Sequence, residues 1–307
     1  MTALDWIDMR LLRFRTGDTD PWTVGIDLDG ELRDATPAVA EMLGHATDPF
    51  DPLPEALGIL AELQASAESL RTLEVVDADV VQLGTPMPRP GKLLCVGLNY
   101  ADHAEEAGMA IPEVPEVFAK TDNAIIGPGE AIRIPEMSYR IDYEGEIAVV
   151  IGSRGRNIPV EDASSHIGGY TLVNDVTARD VQVRSSQWLL AKSFDTFAPI
   201  GPAIYLADES EPVIDISVTV NEEQVQGATS KDLIFGFSEI VHYLSRLMTL
   251  NPGDVIATGT PSGVGFLRNP RRYIRDGDVV TVSSTQIGAL TNPVRADYSA
   301  KKEVGQG

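Results

Sequence analysis

Three prolines fall within five residues at Pro86-Met87-Pro88-Arg89-Pro90, and no regular element can run through them. Each proline fixes φ and lacks a backbone donor, so neither a helix interior nor a central strand tolerates the run. The chain of 307 residues is therefore expected to divide there: a small β-rich domain over 1–88, a larger domain over 89–299 and a tail over 300–307. Before the prolines, alternating segments at Leu11–Phe14 and Thr23–Leu28 sit beside turn signals at Gly17-Asp18 and Asp29-Gly30. The stretch Pro54–Arg71 carries Leu57, Leu60, Leu63 and Leu70 at near-helical spacing and predicts a helix.

After the prolines the texture changes. Segments rich in β-formers recur at Lys92–Gly97, Glu146–Ile151, Tyr170–Asn174, Ala203–Leu206, Ile216–Val220, Val255–Thr258 and Asp278–Ser283, punctuated by Gly and Pro. Two helices, Tyr100–Ala107 and Gly236–Met248, interrupt them. Strands this numerous, without regular βαβ alternation, predict a mainly β chain with few helices, folded as a mixed sandwich or a roll.

Charge narrows the function. With 24 Lys+Arg against 46 Asp+Glu, the net charge of −22 repels phosphate backbones and anionic lipid surfaces, so neither nucleic acid nor a membrane is an expected partner. The same field repels small anions at long range, so an anion site would need a local metal or buried cations. Cys95 is the only cysteine and excludes a disulfide framework or a thiolate cluster; within Leu93–Leu98 it reads as a small buried hydrophobe. The opening MTALDWIDMRLL has neither the basic nor the apolar region of a signal peptide. The best apolar run, Ile147–Ile151, is far short of the ~20 residues of a membrane span. A soluble, cytoplasmic protein is expected.

Candidate chemistry starts at Glu144-Gly145-Glu146. In a strand, residues i and i+2 share a face, and two adjacent carboxylates repel unless a cation neutralises them. An all-oxygen pair suits a hard divalent ion such as Mg²⁺ or Mn²⁺, although paired acids at a strand's start are commonly just solvated. Asp175, at the end of an apolar segment, could close a three-carboxylate site or cap the turn that follows it. His103 and Glu106, three apart on a predicted helix, form either a general-base pair or a solvated face. His45, His166 and His242 have no such partner nearby and read as structural. Lys192, amid apolar and small residues, must pair with an anion, lower its pKa or snorkel to solvent. The glycine-rich Ala257–Gly265 loop lacks the lysine and spacing of a nucleotide loop, but its small residues permit close approach to backbone and hydroxyl groups.

In order along the chain, GLNYxxHxxE, DYEGE, NDVTARDVQ, KSFDTFAPIGP and PGDVIATGTPSGVG resemble the fumarylacetoacetate hydrolase family over about residues 90–295, the preceding residues matching the small N-terminal β module of many bacterial members. The resemblance implies a mixed β-sandwich roll, a homodimer, and Mg²⁺, Mn²⁺ or Ca²⁺ bound by Glu144, Glu146 and Asp175. It implies a lid carrying His103 and Glu106 that activates water. It places Arg179, Gln182, Lys192 and Thr260 around the substrate, with Lys120 at the pocket edge. Phe197-Ala198 stands where smaller residues are common, which bears on pocket shape.

Chelation by the ion would turn a 2-oxo group into an electron sink, with Lys192 adding positive charge near the developing oxyanion. The expected activity is C–C hydrolysis of acylpyruvate-type 2,4-dioxo acids such as fumarylpyruvate. The alternative is decarboxylation or isomerisation of 2-oxo acids related to oxaloacetate or the hydroxymuconates of aromatic breakdown. A catalytically silent binding protein would have no physical reason to keep three mutually repelling acids.

Overall fold

The centre of the molecule is a strand buried along its whole length, Gly145–Ile151, and the next strand outward, Ile167–Asn174, is buried just as fully. Strands covered on both faces read as continuous apolar runs, which is why these two stand out in the sequence. The computed structural model describes residues 9–48, 53–206 and 211–297, so the expected tail lies outside the described residues.

The chain opens with a meander of β1 (Met9–Arg15), β2 (Thr23–Leu28) and β3 (Glu31–Asp34). Asp29 and Gly30 both take positive φ, 57° and 86°, the conformation an Asp-Gly hairpin turn needs. Helix α1 (Thr36–Leu43) follows. The single helix expected over Pro54–Arg71 is instead three short ones: α2 (Leu53–Gly58), α3 (Leu60–Ala65) and α4 (Ala67–Leu70). Ile59, at φ −118° and ψ 28°, leaves helical geometry between the first two. Leu57, Leu63 and Leu70 are nevertheless all buried, so separate turns satisfy the apolar period that suggested one rod.

Strand β4 (Gln82–Gly84) pairs with β1 just before the proline run, and β5 (Leu93–Gly97) resumes after it. Helix α5 (Ala101–Glu106) sits one residue inside each end of the expected segment. The chain then forms β6 (Glu116–Ala119), β7 (Ile125–Ile126), β8 (Ile132–Ile134), β9 (Ile141–Asp142), β10 (Gly145–Ile151), β11 (Ile167–Asn174) and β12 (Thr177–Ala178). Short helices α6 (Arg179–Gln182) and α7 (Leu189–Lys192) lead to β13 (Ala198–Leu206), β14 (Asp215–Val220) and β15 (Glu223–Thr229). Helix α8 (Phe237–Leu247), β16 (Val255–Ala257), β17 (Val279–Ser284) and β18 (Gly288–Ala296) complete it.

One large sheet runs β3-β2-β1-β13-β11-β10-β16-β5-β6, and a second runs β15-β14-β17-β18-β8. Because β1 pairs antiparallel with β13, the residues before the prolines extend the same sheet as those after them. The second sheet alternates buried and half-buried residues, with Ile216, Val218 and Val220 of β14 turned inward. It packs against the start of β10 so closely that a Cβ on Gly145 would lie 2.2 Å from Val218. This face-to-face packing is the sandwich that the strand count predicts. Among the described residues no helix is long and apolar enough to cross a membrane.

Candidate active site

Antiparallel register builds the acidic centre. Gly145 lies opposite Asn174 on β11, and the Asp175 N–H donates to the Glu144 carbonyl at 2.8 Å, which brings Asp175 beside the Glu144–Glu146 pair. All three carboxylates are buried, and one oxygen from each lies within 4.8 Å of the others. Helix α6 begins without a side-chain cap, so Asp175 serves this cluster and not a helix end.

Buried cations answer the buried acids. Lys192, at the end of α7, donates to Glu144 Oε2 at 2.7 Å and Asp175 Oδ2 at 2.5 Å, and at 2% exposure it does not snorkel. Arg179 donates from Nε to Asp142 Oδ2 at 2.8 Å, approaches Glu144 Oε1 within 2.6 Å and reaches Gln182 Oε1 at 3.1 Å. Lys120 differs from its expected place at the pocket edge. It stands behind the cluster, donating to Asp175 Oδ1 at 2.6 Å and the Val176 carbonyl at 3.2 Å, with its side chain fully covered. The end of β6 turns this lysine inward, where its charge needs a buried carboxylate.

The two glutamates respond oppositely to this setting. Burial disfavours the charged form of Glu144, but Lys192 and Arg179 outweigh it and hold the carboxyl down to about 2. Glu146 is pushed well above the usual range by burial and by the charges of Asp175 and Glu144. Burial likewise lowers the Lys120 ammonium, against the pull of Asp175, and burial raises the Cys95 thiol, as suits an inert core cysteine. The mutual repulsion concentrated on Glu146 is what a divalent cation relieves, and the all-oxygen donor set fits Mg²⁺, Mn²⁺ or Ca²⁺.

Helix α5 is latched over this centre by the glycine-rich loop. His103 Nδ1 lies 3.4 Å from Glu106 Oε2, and the Glu106 carboxylate also accepts the Gly263 N–H at 3.1 Å. Asp102 accepts from Ser262 Oγ at 2.6 Å. In the same loop the Gly259 N–H donates to Glu146 Oε2 at 2.8 Å and Thr260 Oγ1 to the Gly145 carbonyl at 2.9 Å. Glycine is required at 263, where φ is 105° and a Cβ would sit 2.1 Å from the Val225 carbonyl oxygen. The small residues thus let strand, helix and loop converge.

These groups meet in a cleft of about 490 Å³ lined by His103, Glu144, Glu146, Arg179, Gln182, Lys192 and Thr260 together with an apolar wall. Phe197 is buried against Phe194 and does not line the cleft, so it leaves the cleft's shape untouched. Sequence reasoning overlooked Asp142, which is fully buried and also accepts the Gly265 and Phe266 N–H groups at 2.8 and 2.9 Å. Its two-residue spacing from Glu144 was the available signal. It also overlooked Gln226, whose Nε2 donates to Thr260 Oγ1 at 2.8 Å and which no local pattern marks. The remaining histidines lie elsewhere: His166 beside Ser153, His242 on the Ile158 carbonyl and His45 in the exposed segment after α1.

Residues 92–295 match the model of the fumarylacetoacetate (FAA) hydrolase C-terminal family. An oxaloacetate tautomerase of Xenopus laevis, fahd2, is 38% identical over 298 residues, covering 94% of this chain and 91% of its own. A fumarylacetoacetate hydrolase structure from Exiguobacterium antarcticum superposes with a TM-score of 0.80 at 36% identity, covering 94% of this chain and 99% of its own. Maleylpyruvate hydrolase from Sphingobium sp. SYK-6, solved with manganese(II) and pyruvate, gives 0.77 at 28% identity, covering 94% of this chain and all of that one.

Proposed function

The chain belongs to the fumarylacetoacetate hydrolase family, and from that premise we propose that it is a divalent-metal-dependent enzyme interconverting enol and keto forms of 2-oxo acids. One observation carries the reading: a single cleft is lined by Glu144, Glu146, Lys192 and His103, with Asp175 completing the carboxylate cluster and Glu106 set against the imidazole. Glu144, Glu146 and Asp175 would hold Mg²⁺ or Mn²⁺, which when bound supplies Lewis-acid polarisation of the 2-oxo group.

The protein's own groups supply the rest. Lys192 presents a fixed positive charge beside the position where negative charge develops on oxygen, in a buried setting where such a charge acts strongly. Glu106 faces His103 Nδ1, so the proton stays on Nδ1 and Nε2 remains free to accept one. In tautomerisation the enol hydroxyl loses a proton and C3 gains one; His103 Nε2 is the group placed to carry it. The latch through Gly263 and Ser262 keeps that imidazole over the cleft.

Full-length similarity to a relative named for oxaloacetate tautomerisation supports this reading. Hydrolysis of a C–C bond is the second reading, supported by the complete His–Glu pair, which could equally take a proton from water, and by the likeness to maleylpyruvate hydrolase. The test is to add enol oxaloacetate and enol phenylpyruvate to Mg²⁺-loaded protein and follow the loss of enol absorbance. Decay above the buffer rate, abolished by a chelator, is expected; no acceleration for either enol would refute the reading. Release of acetate and pyruvate from acetylpyruvate in parallel would move hydrolysis to first place.

A further inference from the structure

The cleft and a basic groove follow one another along the chain. Phe266 and Leu267 line the cleft; from the next residue onward Arg268, Arg271, Arg272 and Arg275 line a groove of about 450 Å³, together with Glu223 and Asp278. Four arginines within eight residues are a local reversal in a chain whose net charge is −22. The acids of the groove are already engaged. Glu223 takes both Arg268, at 2.7 Å, and Arg272; Asp278 accepts the Asn221 amide at 3.1 Å and the Arg275 N–H at 2.9 Å. Among the described residues no carboxylate pairs with the exposed guanidinium of Arg271, which lies over the Phe266 ring, 4.7 Å from its centroid. Stacking uses the face of a guanidinium and leaves its in-plane N–H donors free.

That ring ties the groove to the reacting centre. Arg179, which lines the cleft and reaches Glu144, lies 5.8 Å from the same Phe266 centroid, so the two guanidinium carbons are no farther apart than these two distances laid end to end. An extended six-carbon diacid, about 6 Å between its carboxyl carbons, spans such a gap with a charge-assisted hydrogen bond at each end. The backbone that carries Arg271 is pinned to the site. The Arg272 N–H donates to the Gly265 carbonyl at 3.0 Å and the Ile274 N–H to the Ile141 carbonyl at 2.9 Å. Gly265 is packed so tightly here that a Cβ would lie 1.8 Å from the Arg272 carbonyl oxygen.

Resting on the functional reading above, we infer that Arg271 is a specificity-determining residue, receiving the second carboxylate of a dicarboxylic 2-oxo acid where its chain leaves the cleft past Phe266. Because Arg271 is exposed, the contact should be worth up to about fivefold in affinity. The matched pair 2-oxohexanoate and 2-oxoadipate isolates the terminal charge, with pyruvate as the common head group.

Isothermal titration of the Mg²⁺-loaded protein with these three acids, at one fixed ionic strength, tests it. The unaltered protein should bind 2-oxoadipate more tightly than 2-oxohexanoate. Arg271→Met, which keeps an apolar stem on the ring, should weaken 2-oxoadipate about fivefold and leave pyruvate and 2-oxohexanoate within about twofold. Arg275→Met removes a charge from the same groove without touching Phe266, and should change 2-oxoadipate by less than about twofold. Tighter binding of 2-oxohexanoate to the unaltered protein overturns the inference. So does an Arg271→Met protein that keeps its 2-oxoadipate affinity, or an equal loss in Arg275→Met, which would mark a general field and not a contact. A protein that binds none of the three acids would instead sink the functional reading, and this inference with it.

Discussion

Replacing Lys192 by Met removes the one ammonium that bridges Glu144 and Asp175 while keeping the length and apolar stem of the side chain. Two estimates of the cost agree. Breaking a buried ion pair by removing one partner typically costs about 3–5 kcal/mol. Independently, Glu144 is held at about 2 against an ordinary 4.5, a difference worth about 3 kcal/mol at neutral pH, to which Lys192 is the largest single cationic contributor. A depressed carboxyl pKa stabilises the fold above the unfolded value and loses that contribution as pH falls through 4.5 toward 2; by pH 3 roughly two-fifths remains. Urea unfolding in the presence of a chelator should therefore show Lys192→Met less stable by about 3 kcal/mol at pH 7, with a clearly smaller gap at pH 3. Added Mg²⁺ should close part of the gap, since it replaces the missing positive charge. A variant within 1 kcal/mol of wild type at pH 7 without metal, or a gap that does not shrink in acid, would refute the electrostatic account of this centre.

Glu146→Gln removes a proposed ligand together with the carboxylate that its charged neighbours most disfavour; Mg²⁺ affinity measured by calorimetry should fall by more than the roughly 10–100-fold typical of losing an outer-shell partner, while the metal-free protein melts no lower than wild type. His103→Ala should slow enol–keto conversion by about 10²–10⁴-fold and Glu106→Gln by less, read as kcat in the enol absorbance assay. A loss of only a few-fold would remove His103 from proton transfer. Light scattering at micromolar concentration should report twice the monomer mass, as expected for a homodimer; a monomer would contradict it.

The sequence by itself determined the mainly β class, because segments rich in β-formers such as Ile147–Ile151 in β10 and Tyr170–Val173 in β11 recur without helical alternation, and α8 has a clean helical period inside its Gly236 and Met248 caps. It also put Glu144 beside Glu146 and His103 beside Glu106, since strand and helix periodicities are local properties of the backbone, whereas Asp175 joined the first pair only through the family resemblance and, in the fold, through the β10–β11 register. It overstated the helix at Pro54–Arg71, because apolar spacing cannot distinguish one rod from three turns that bury Leu57, Leu63 and Leu70. What spans long stretches of chain was settled only by tertiary structure. Lys120 and Lys192 reach the two oxygens of Asp175 across 55 and 17 residues, and Asp142 meets Arg179 across 37. The β1–β13 pairing likewise joins segments on either side of the proline run into one sheet. A charged side chain carries no mark of its partner in its own neighbourhood; the partner is chosen by burial, which makes an unpaired charge too costly and leaves only the folds in which every such charge is answered.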